Sequence, residues 1–296
     1  MNMGETPVQT IKHPLLKAHQ VNLLVKRDDL THPLISGNKW RKLKYNLTYA
    51  KDNDINQLIS FSGAFSNHLY ALAGASRLFD FKSRVIVRGP TLDEYNPCLR
   101  FAKACGVELT PVTRKEYRLR NESDFLKSLA EHYPNALIIP EGGTNERALL
   151  GVIELANSLP AADQVWCAVG SAGTFSGLIE GLPHTTQIKG VAVLKQADYL
   201  IETIKKLSIR SQKQQNWQLI TNQHFGGYGK FTHSLWDFCL SLKSQIPLEP
   251  IYSGKMFYAL FKAVESGEIS PGSTVVAIHT GGLQGLTGLK YRGLIS

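Results

Sequence analysis

The sequence has no apolar run that approaches the roughly 20 residues that a membrane-spanning helix needs. Its first residues, Met1–Gln9, lack the basic and then apolar pattern of a secretory signal. Low-complexity tracts and internal repeats at the periods typical of solenoid proteins are also absent. These absences predict a globular, cytoplasmic protein without a membrane partner.

Cysteine is scarce, with four residues in a chain of 296. Cys98 and Cys105 have no second pair to complete a zinc site, and Cys167 and Cys239 stand alone in the sequence. We therefore expect reduced thiols in the core or at the surface, and no metal.

Basic residues outnumber acidic ones, which gives a formal net charge of +9. The densest basic clusters, Arg41–Lys44 and Arg114–Arg120, are short and lie in no recognisable nucleic-acid motif. The sequence thus predicts no nucleic-acid partner. The positive charge would instead attract an anionic cofactor and substrate.

Short β-rich runs alternate with helical segments from about residue 58 onward, which is the pattern of parallel sheets covered by helices. The predicted strands are Leu58–Ser62, Val85–Arg88, Glu108–Val112, Ala136–Pro140, Gln164–Val169, Gly190–Leu194 and Thr274–His279. The predicted helices are His68–Phe79, Ser123–Glu131, Glu146–Ser158, Phe175–Leu182, Phe231–Leu242 and Lys255–Ser266. Because the chain is longer than a usual single core, we expect two α/β domains.

Three polar, glycine-bearing loops follow predicted strands. They are Ser62–His68, Val169–Gly177 and His279–Gly282. Ligands of open parallel sheets bind beyond the carboxyl ends of the strands, so these loops are candidate parts of one site.

The segment Gly170-Ser171-Ala172-Gly173-Thr174 leads from an apolar strand into a helix. Backbone N–H groups at such a junction can converge on a phosphate. The segment lacks the ending of a nucleotide P-loop and the glycine spacing of a dinucleotide fold. A plain tight turn is the alternative.

A lysine-rich segment follows Gly37 and Asn38, at a predicted loop-to-helix junction. Lys39 and Lys42 are three positions apart and would share one face of a helix that begins there. One amine could bond a carbonyl ligand while the other pairs with a phosphate. A solvated basic face is the alternative for this segment, and it is the interpretation we adopt for Lys44.

The segment from residue 36 to 45, SGNKWRKLKY, resembles the cofactor-lysine motif of the D-cysteine desulfhydrase and 1-aminocyclopropane-1-carboxylate deaminase family. These are pyridoxal-phosphate enzymes of fold type II, related to tryptophan synthase β. The resemblance continues, in the same order, through Ser62–His68, Pro140–Gly143, Gly170–Gly177, His224–Tyr228, Ile251–Lys255 and His279–Gly282. It therefore covers about residues 22 to 285.

The resemblance implies that Lys39 holds the cofactor as a Schiff base and later moves the α-proton. It implies that Lys42 and the turn Gly170–Thr174 hold the phosphate. Asn67 would donate to the pyridoxal 3-oxygen, and Ser66 with the N–H groups of Asn67 and His68 would receive the substrate carboxylate. Ser66 and Asn67 could equally serve to cap the following helix.

Two tyrosines match family positions: Tyr252 would lie against the cofactor ring and Tyr228 would face the substrate. Either could instead be an ordinary half-buried aromatic residue. The residue after the ring tyrosine approaches the pyridine nitrogen, and the deaminase pattern has a glutamate there. This chain has Ser253, which Thr280 would assist. A hydroxyl cannot hold the nitrogen's proton by charge, so the ring becomes a weaker electron sink.

A weaker sink favours prompt expulsion of a β-leaving group, so the sequence predicts β-elimination from a small amino acid such as D-cysteine. Deamination of the cyclopropane amino acid, and dehydration or racemisation of serine, are the alternative reactions. A cofactor-binding carrier without turnover is the non-enzymatic alternative. The resemblance also implies a homodimer of two-domain subunits, with a larger domain of residues 1–44 and 152–296 and a smaller inserted domain of residues 45–151. Glu141 receives no role.

Overall fold

The computed structural model describes residues 3–35 and 37–296. Its strands are β1 (Val8–Ile11), β2 (Asn22–Lys26), β3 (Gln57–Gly63), β4 (Lys82–Arg88), β5 (Glu108–Val112), β6 (Ala136–Ile139), β7 (Gln164–Val169), β8 (Gln187–Ala192), β9 (Trp217–Ile220) and β10 (Thr274–Ile278). Its helices are α1 (Pro14–Ala18), α2 (Asn38–Asp52), α3 (Asn67–Phe79), α4 (Pro97–Ala104), α5 (Arg114–Arg118), α6 (Ser123–His132), α7 (Glu146–Asn157), α8 (Gly173–Gly181), α9 (Tyr199–Leu207), α10 (Ile209–Lys213), α11 (His233–Ser241), α12 (Ser253–Glu265) and α13 (Gly285–Tyr291).

The strands form two sheets. The larger has the order β1-β2-β10-β7-β8-β9 and the smaller β5-β4-β3-β6. Among the strands named above, β1 pairs antiparallel with β2, and the other pairings are parallel. The expected α/β fold with two open parallel sheets is therefore confirmed.

All seven predicted strands are present, with ends shifted by up to three residues. The sequence pattern did not predict β1, β2 and β9, which have four or five residues each. Such short segments carry few hydrophobic positions, so their periodicity is weak. Their strand conformation comes from pairing with neighbours distant in sequence.

Helices α2 and α7 pack against each other between the two sheets. Both expected domain boundaries fall inside these helices, one at 44/45 and the other at 151/152. We propose that the pair forms the joint of a two-domain chain. Lys44, which we interpreted as part of a solvated face, instead forms an ion pair of 2.7 Å with Glu154 on α7. That interpretation was wrong because α7 covers this side of α2.

Separate apolar clusters stabilise the two sheets. One cluster lies around Val85 and Leu72 of the smaller sheet and its helices. Two clusters flank the larger sheet, around Phe257 and around Phe175. Since the cores lie within the sheets and their helices, the loops at the carboxyl ends of the strands remain available for a site between them.

The four cysteines are free. Among residues 3–35 and 37–296, no helix is both long and apolar enough to cross a bilayer. The same described residues contain no group of three or more histidine, cysteine, aspartate or glutamate side chains that could hold a metal ion.

Candidate active site

Lys39 occupies the first turn of α2, at the point where two motif loops meet. Gly37 precedes the helix with a φ of 66°, and a Cβ placed there would collide with the backbone carbonyl of Thr280. Only glycine permits both this conformation and this approach. The N–H of Asn38 donates to the same Thr280 carbonyl oxygen at 3.2 Å. The loop after β10 therefore fixes where α2 begins. Ser36, which belongs to the lysine motif, lies outside the described residues.

The amine of Lys39 is partly shielded from solvent. Burial, which disfavours the ammonium form, lowers the pKa of Lys39 to about 8, against the raising effects of a hydrogen bond with Lys42 and of the Glu141 carboxylate. A substantial fraction of this amine is thus neutral in mildly alkaline solution. A neutral amine is the form that attacks a carbonyl group or accepts a proton.

Lys42 is 1% exposed and lies in a polar pocket one turn further along α2. Its Nζ donates to Thr144 Oγ1 at 3.0 Å and to Ser171 Oγ at 3.1 Å. Burial and the neighbouring Lys39 hold the pKa of Lys42 well below its usual value. Sequence reasoning missed Thr144, although it follows the motif Pro140–Gly143 directly.

The segment Gly170–Thr174 forms a sharp turn into α8. Ala172 has a left-handed φ of 64°, and α8 begins at Gly173. A Cβ at Gly173 would lie 2.9 Å from the Thr144 side chain and 3.2 Å from Lys42 Cδ. The absence of a side chain there lets the helix N-terminus approach Lys42. Asn38 Nδ2 ties the end of the turn to α2 by donating to Thr174 Oγ1 at 2.9 Å.

The surroundings of Lys42 fit a phosphate group. In the described part of the chain, no carboxylate oxygen lies within 4.0 Å of the Lys39 or Lys42 amine. Two adjacent lysine amines, two hydroxyl groups and a helix N-terminus meet here, and positive charge on the amines has no carboxylate beside it. A bound dianion would supply the missing charge.

The segment Ser66–His68 lies at the start of α3, beyond the end of β3. Ser66 is the N-cap residue, and its Oγ accepts the N–H of His68 at 3.1 Å. The capping role is therefore present, and it engages the His68 N–H that we expected to bind the substrate carboxylate. Asn67 Oδ1 accepts from Gln284 Nε2 at 2.9 Å, which leaves the amide nitrogen as a donor.

The His68 ring is buried, with its two nitrogens in different surroundings. Nε2 lies 2.8 Å from Ser60 Oγ, which itself donates to the carbonyl oxygen of Ile139 at 2.7 Å. Because the serine hydrogen is used in that bond, His68 Nε2 carries the hydrogen and donates. His68 Nδ1 has no partner among the described residues. Burial and the two lysines hold the pKa of His68 well below its ordinary value, so the ring is neutral.

Tyr228 and Tyr252 lie against each other, with ring centroids 5.9 Å apart and an interplanar angle of 71°. Tyr252 also contacts the phosphate turn, since a Cβ at Gly170 would lie 3.0 Å from its ring. Burial and the Tyr228 phenol raise the pKa of Tyr252 well above its ordinary value. Tyr252 therefore keeps its hydrogen and acts as a donor. Tyr228 is 45% exposed and lies on the solvent side of the pair.

Ser253 begins α12 and is buried. Its hydroxyl lies 2.9 Å from Glu249 Oε1, a residue that sequence reasoning missed. A glutamate four positions before the serine gave no motif signal, because only the folded chain turns its side chain back onto Ser253. Thr280 is also buried, and its backbone carbonyl makes the close contact with Gly37.

The structure gives two further residues, Glu141 and Lys255, contacts that the sequence did not predict. Glu141 pairs with Arg120 at 2.6 Å and acts electrostatically on Lys39 and Tyr252. Lys255 is buried, and its Nζ donates to the backbone oxygens of Val193, His224 and Gly227 at 3.3, 2.8 and 2.9 Å. It thereby holds the loop that carries Tyr228.

A family profile described as "Pyridoxal-phosphate dependent enzyme" matches residues 1–281. The chain belongs to this pyridoxal-phosphate enzyme family. A Thermotoga maritima protein named as a candidate 1-aminocyclopropane-1-carboxylate deaminase is 30% identical, over 97% of this chain and 96% of its own. An Arabidopsis thaliana mitochondrial protein named bifunctional D-cysteine desulfhydrase/1-aminocyclopropane-1-carboxylate deaminase is 28% identical, over 95% of this chain and 77% of its own.

Among solved structures, a homologue of 1-aminocyclopropane-1-carboxylate deaminase superposes with a TM-score of 0.85 at 26% identity. The match covers 99% of this chain and 94% of the other. The expected fold type II and pyridoxal-phosphate cofactor are thus confirmed. This cofactor supplies an electron sink for the charge that develops at the substrate α-carbon.

The assignment of residues to parts of the pyridoxal-phosphate enzyme site is our proposal. The phosphate would lie on Lys42, Thr144 and the turn Gly170–Thr174. Lys39 would carry the cofactor, with Asn67 at its 3-oxygen and Tyr252 beside its ring. Ser66, Asn67, His68 and Tyr228 would face the substrate, and Ser253 and Thr280 the ring nitrogen.

Proposed function

We propose that this pyridoxal-phosphate enzyme catalyses β-elimination from a small amino acid, with D-cysteine as the substrate of choice. D-cysteine and one water give pyruvate, sulfide and ammonia. The α-proton leaves the substrate, the β-sulfur departs as sulfide, and hydrolysis releases the nitrogen as ammonia.

The placement of Lys39 is the observation that carries this proposal. Its amine, with a pKa lowered to about 8, lies beside Lys42 in the phosphate pocket. Elimination requires a base at the substrate α-carbon, and a neutral lysine amine within reach can take that proton. Once Lys42 is occupied with the phosphate, Lys39 is the amine left for this task.

Tyr228 and Ser66 support a substrate position opposite Lys39. Tyr228 is the more exposed member of the tyrosine pair, whereas Tyr252 is half-buried. Ser66 and the start of α3 present a helix N-terminus, which favours a carboxylate. A substrate bound there has its carboxylate on α3 and its side chain toward Tyr228.

Ser253 favours elimination over opening of the cyclopropane ring. No carboxylate occupies position 253 itself. The Ser253 hydroxyl would lie between the ring nitrogen and the charge of Glu249. That charge is also shared among backbone donors from Ile251, Tyr252 and Ser253. The ring nitrogen therefore feels a weaker negative charge than direct contact would provide, and prompt loss of a β-group is favoured.

A substrate panel tests this proposal. Purified enzyme should release sulfide and pyruvate from D-cysteine, with less product from L-cysteine, D-serine or the cyclopropane amino acid. Lys44→Met serves as a control, since Lys44 lies on α2 but pairs with Glu154 away from the cleft. Release of 2-oxobutyrate from the cyclopropane amino acid, with no sulfide from D-cysteine, would contradict the proposal.

Deamination of 1-aminocyclopropane-1-carboxylate is the second candidate. It is favoured by the names of the relatives, several of which are candidate deaminases of this compound at 26–30% identity. Dehydration or racemisation of serine would use the same lysine and phosphate pocket. The substrate panel separates all of these by their products.

The oligomeric state and the cellular location of this protein stay predictions. We propose a homodimer in the cytoplasm, acting on a free amino acid. Sedimentation of the purified chain at two concentrations measures the assembly, and a monomer at both would contradict it.

A further inference from the structure

Glu249 is a buried carboxylate that lies behind Ser253, at the proposed ring-nitrogen site. It is 1% exposed. Its oxygens accept the backbone N–H groups of Ile251 at 2.7 Å, Tyr252 at 3.1 Å and Ser253 at 2.6 Å. The Ser253 N–H belongs to the first turn of α12, and Ile251 and Tyr252 directly precede the helix, so the side chain caps the turn that leads into α12. Capping alone would need only a short polar side chain.

The Ser253 hydroxyl adds a contact that capping does not require. Its Oγ lies 2.9 Å from Glu249 Oε1 and accepts the N–H of Glu249 at 3.1 Å. A serine hydroxyl has one hydrogen and two lone pairs. When the hydrogen goes to an ionised Glu249 and one lone pair to the backbone, a single lone pair remains. Toward a ring nitrogen, Ser253 then presents an acceptor, which suits a nitrogen that carries a proton.

We infer that Glu249 acts through Ser253 to set whether the cofactor's ring nitrogen is protonated, and is a positioning residue for the electron sink. The inference rests on the proposed place of Ser253 at this nitrogen. It does not depend on which substrate the enzyme uses. Ser253 would thus be backed by a carboxylate four positions earlier in the chain, which acts more weakly than a carboxylate at position 253 itself would.

The proton balance of this arrangement is simple. In one state Glu249 is neutral and donates to Ser253 Oγ, while the Ser253 hydroxyl donates to a neutral nitrogen. In the other state the nitrogen carries the proton, and the Ser253 hydroxyl donates to the Glu249 carboxylate. Transfer moves one proton from Glu249 to Ser253 and one from Ser253 to the nitrogen, so Ser253 is unchanged.

Near neutral pH, both the protonated and the ionised form of Glu249 are populated. Burial raises the pKa of Glu249 to about 7, against its backbone and serine hydrogen bonds. Four other titratable groups interact electrostatically with this carboxylate. They are Lys255 on α12, Cys239 on α11, and the phenols of Tyr252 and Tyr228. Lys255 is the only cation among these four, and its ammonium is directed to backbone oxygens.

The experiment is a pH titration of the holoenzyme loaded with cofactor labelled with ¹⁵N in the ring, followed by NMR. Substitution Glu249→Gln keeps the size of the side chain and removes its charge. It should lower the pH at which the ring nitrogen loses its proton by about one unit or more, since removing a buried negative charge behind Ser253 removes an interaction of this order. Ser253→Ala should lower it as well, by a smaller amount.

Glu154→Gln is the matched control, because it removes a partly buried glutamate that pairs with Lys44 away from the cleft. It should leave the nitrogen transition unchanged. A ring-nitrogen titration in Glu249→Gln identical to that of the wild type overturns the inference. So does an unchanged titration in Ser253→Ala beside a shifted one in Glu249→Gln, because the effect would then not pass through the serine.

A measurement without variants covers the case in which Glu249→Gln does not fold. The wild-type chain, labelled with ¹³C in its glutamate carboxyl groups, is titrated with and without the cofactor. Linkage requires that a protonated nitrogen lower the pKa of the buried carboxyl. A carboxyl titration that the cofactor leaves unchanged overturns the inference. Neither readout requires turnover, so failure of the D-cysteine proposal would appear separately, in the substrate panel.

Discussion

Lys39 and Lys42 differ in their neighbours although both lie in the first two turns of α2. Lys42 is fully buried and its amine is engaged with Thr144 and Ser171. Lys39 is less buried and has no hydroxyl partner among the described residues. The sequence offered both amines as candidates for the bond to the cofactor, and the contacts of Lys42 favour Lys39.

We expect borohydride reduction of the native holoenzyme to fix the cofactor to Lys39. Peptide mapping by mass spectrometry should find the label on a peptide that contains Lys39, with Lys42 unmodified. Substitution Lys39→Ala should abolish the label and lower turnover by about 10³-fold or more, because the base at the α-carbon is lost.

Lys42→Arg, which retains the positive charge, should keep the label at position 39 while weakening cofactor binding. A label found on Lys42 in the wild-type enzyme would refute the assignment of Lys39.

Helix α12 links three parts of the site through successive residues. Tyr252 precedes the helix and contacts the phosphate turn, Ser253 begins it, and Lys255 holds the loop that carries Tyr228. The Lys255 ammonium donates to the backbone oxygens of Val193, which directly follows β8, and of His224 and Gly227. The motif Ile251–Lys255 is therefore one structural unit rather than a set of separate side chains.

Lys255→Met should loosen this unit. The substitution keeps most of the apolar stem but leaves buried backbone oxygens without their donor, which costs roughly 1–3 kcal/mol of the free energy of unfolding. We expect KM to rise more than kcat falls, because Tyr228 loses its fixed position while Lys39 is unaffected. Urea denaturation and steady-state kinetics measure the two effects.

Lys262→Met is the matched control on the same helix. Lys262 is exposed, forms an ion pair with Glu265 and lies over the Tyr258 ring. It should change the free energy of unfolding by less than about 0.5 kcal/mol. Equal effects of the two substitutions would show that Lys255 has no special part in holding the loop.

At the scale of the whole molecule, the site reduces the free energy of unfolding. Folding places the amines of Lys39 and Lys42 side by side, with no carboxylate next to either of them in the described chain. The folded-state pKa values of Lys39 and Lys42 are lowered from the ordinary value of 10.5. The unfolded chain therefore binds more protons than the folded chain between the lowered values and about 10.5. In this range the contribution of both lysines to the free energy of unfolding increases as pH rises.

We expect Lys42→Met to stabilise the cofactor-free protein at pH 7, because at this pH the buried amine costs free energy of folding either as an ammonium or through the loss of its proton. The difference in the free energy of unfolding between Lys42→Met and the wild type should shrink as the pH approaches 9.5, because burying the Lys42 amine then costs less free energy. Comparing the two chains cancels the cysteine and tyrosine titrations that both share. Urea denaturation at several pH values provides the measurement.

Inorganic phosphate should bind the wild-type pocket and so reduce the difference in the free energy of unfolding between Lys42→Met and the wild type. A constant difference between Lys42→Met and the wild type across this pH range, with or without phosphate, would contradict the proposed charge imbalance.

The sheet pattern and the loops of the site were predictable because their signals are local. The alternation of β-rich and helical segments predicted seven of ten strands. The glycine-bearing turns at residues 62–68, 170–174 and 279–282 could be placed at strand ends by the same reasoning. The short strands β1, β2 and β9 could not be predicted, because their partners are distant in sequence.

The sequence by itself determined the α/β class, the cofactor lysine motif and the order of the motif loops, since each is written in a few neighbouring residues. Only the tertiary structure decided that Thr144 joins Lys42, that Lys255 holds the Tyr228 loop, and that Lys44 is paired rather than solvated. It also turned Glu249 back onto Ser253. The physical reason is that such contacts depend on where packing places a side chain, and residue spacing carries no record of that.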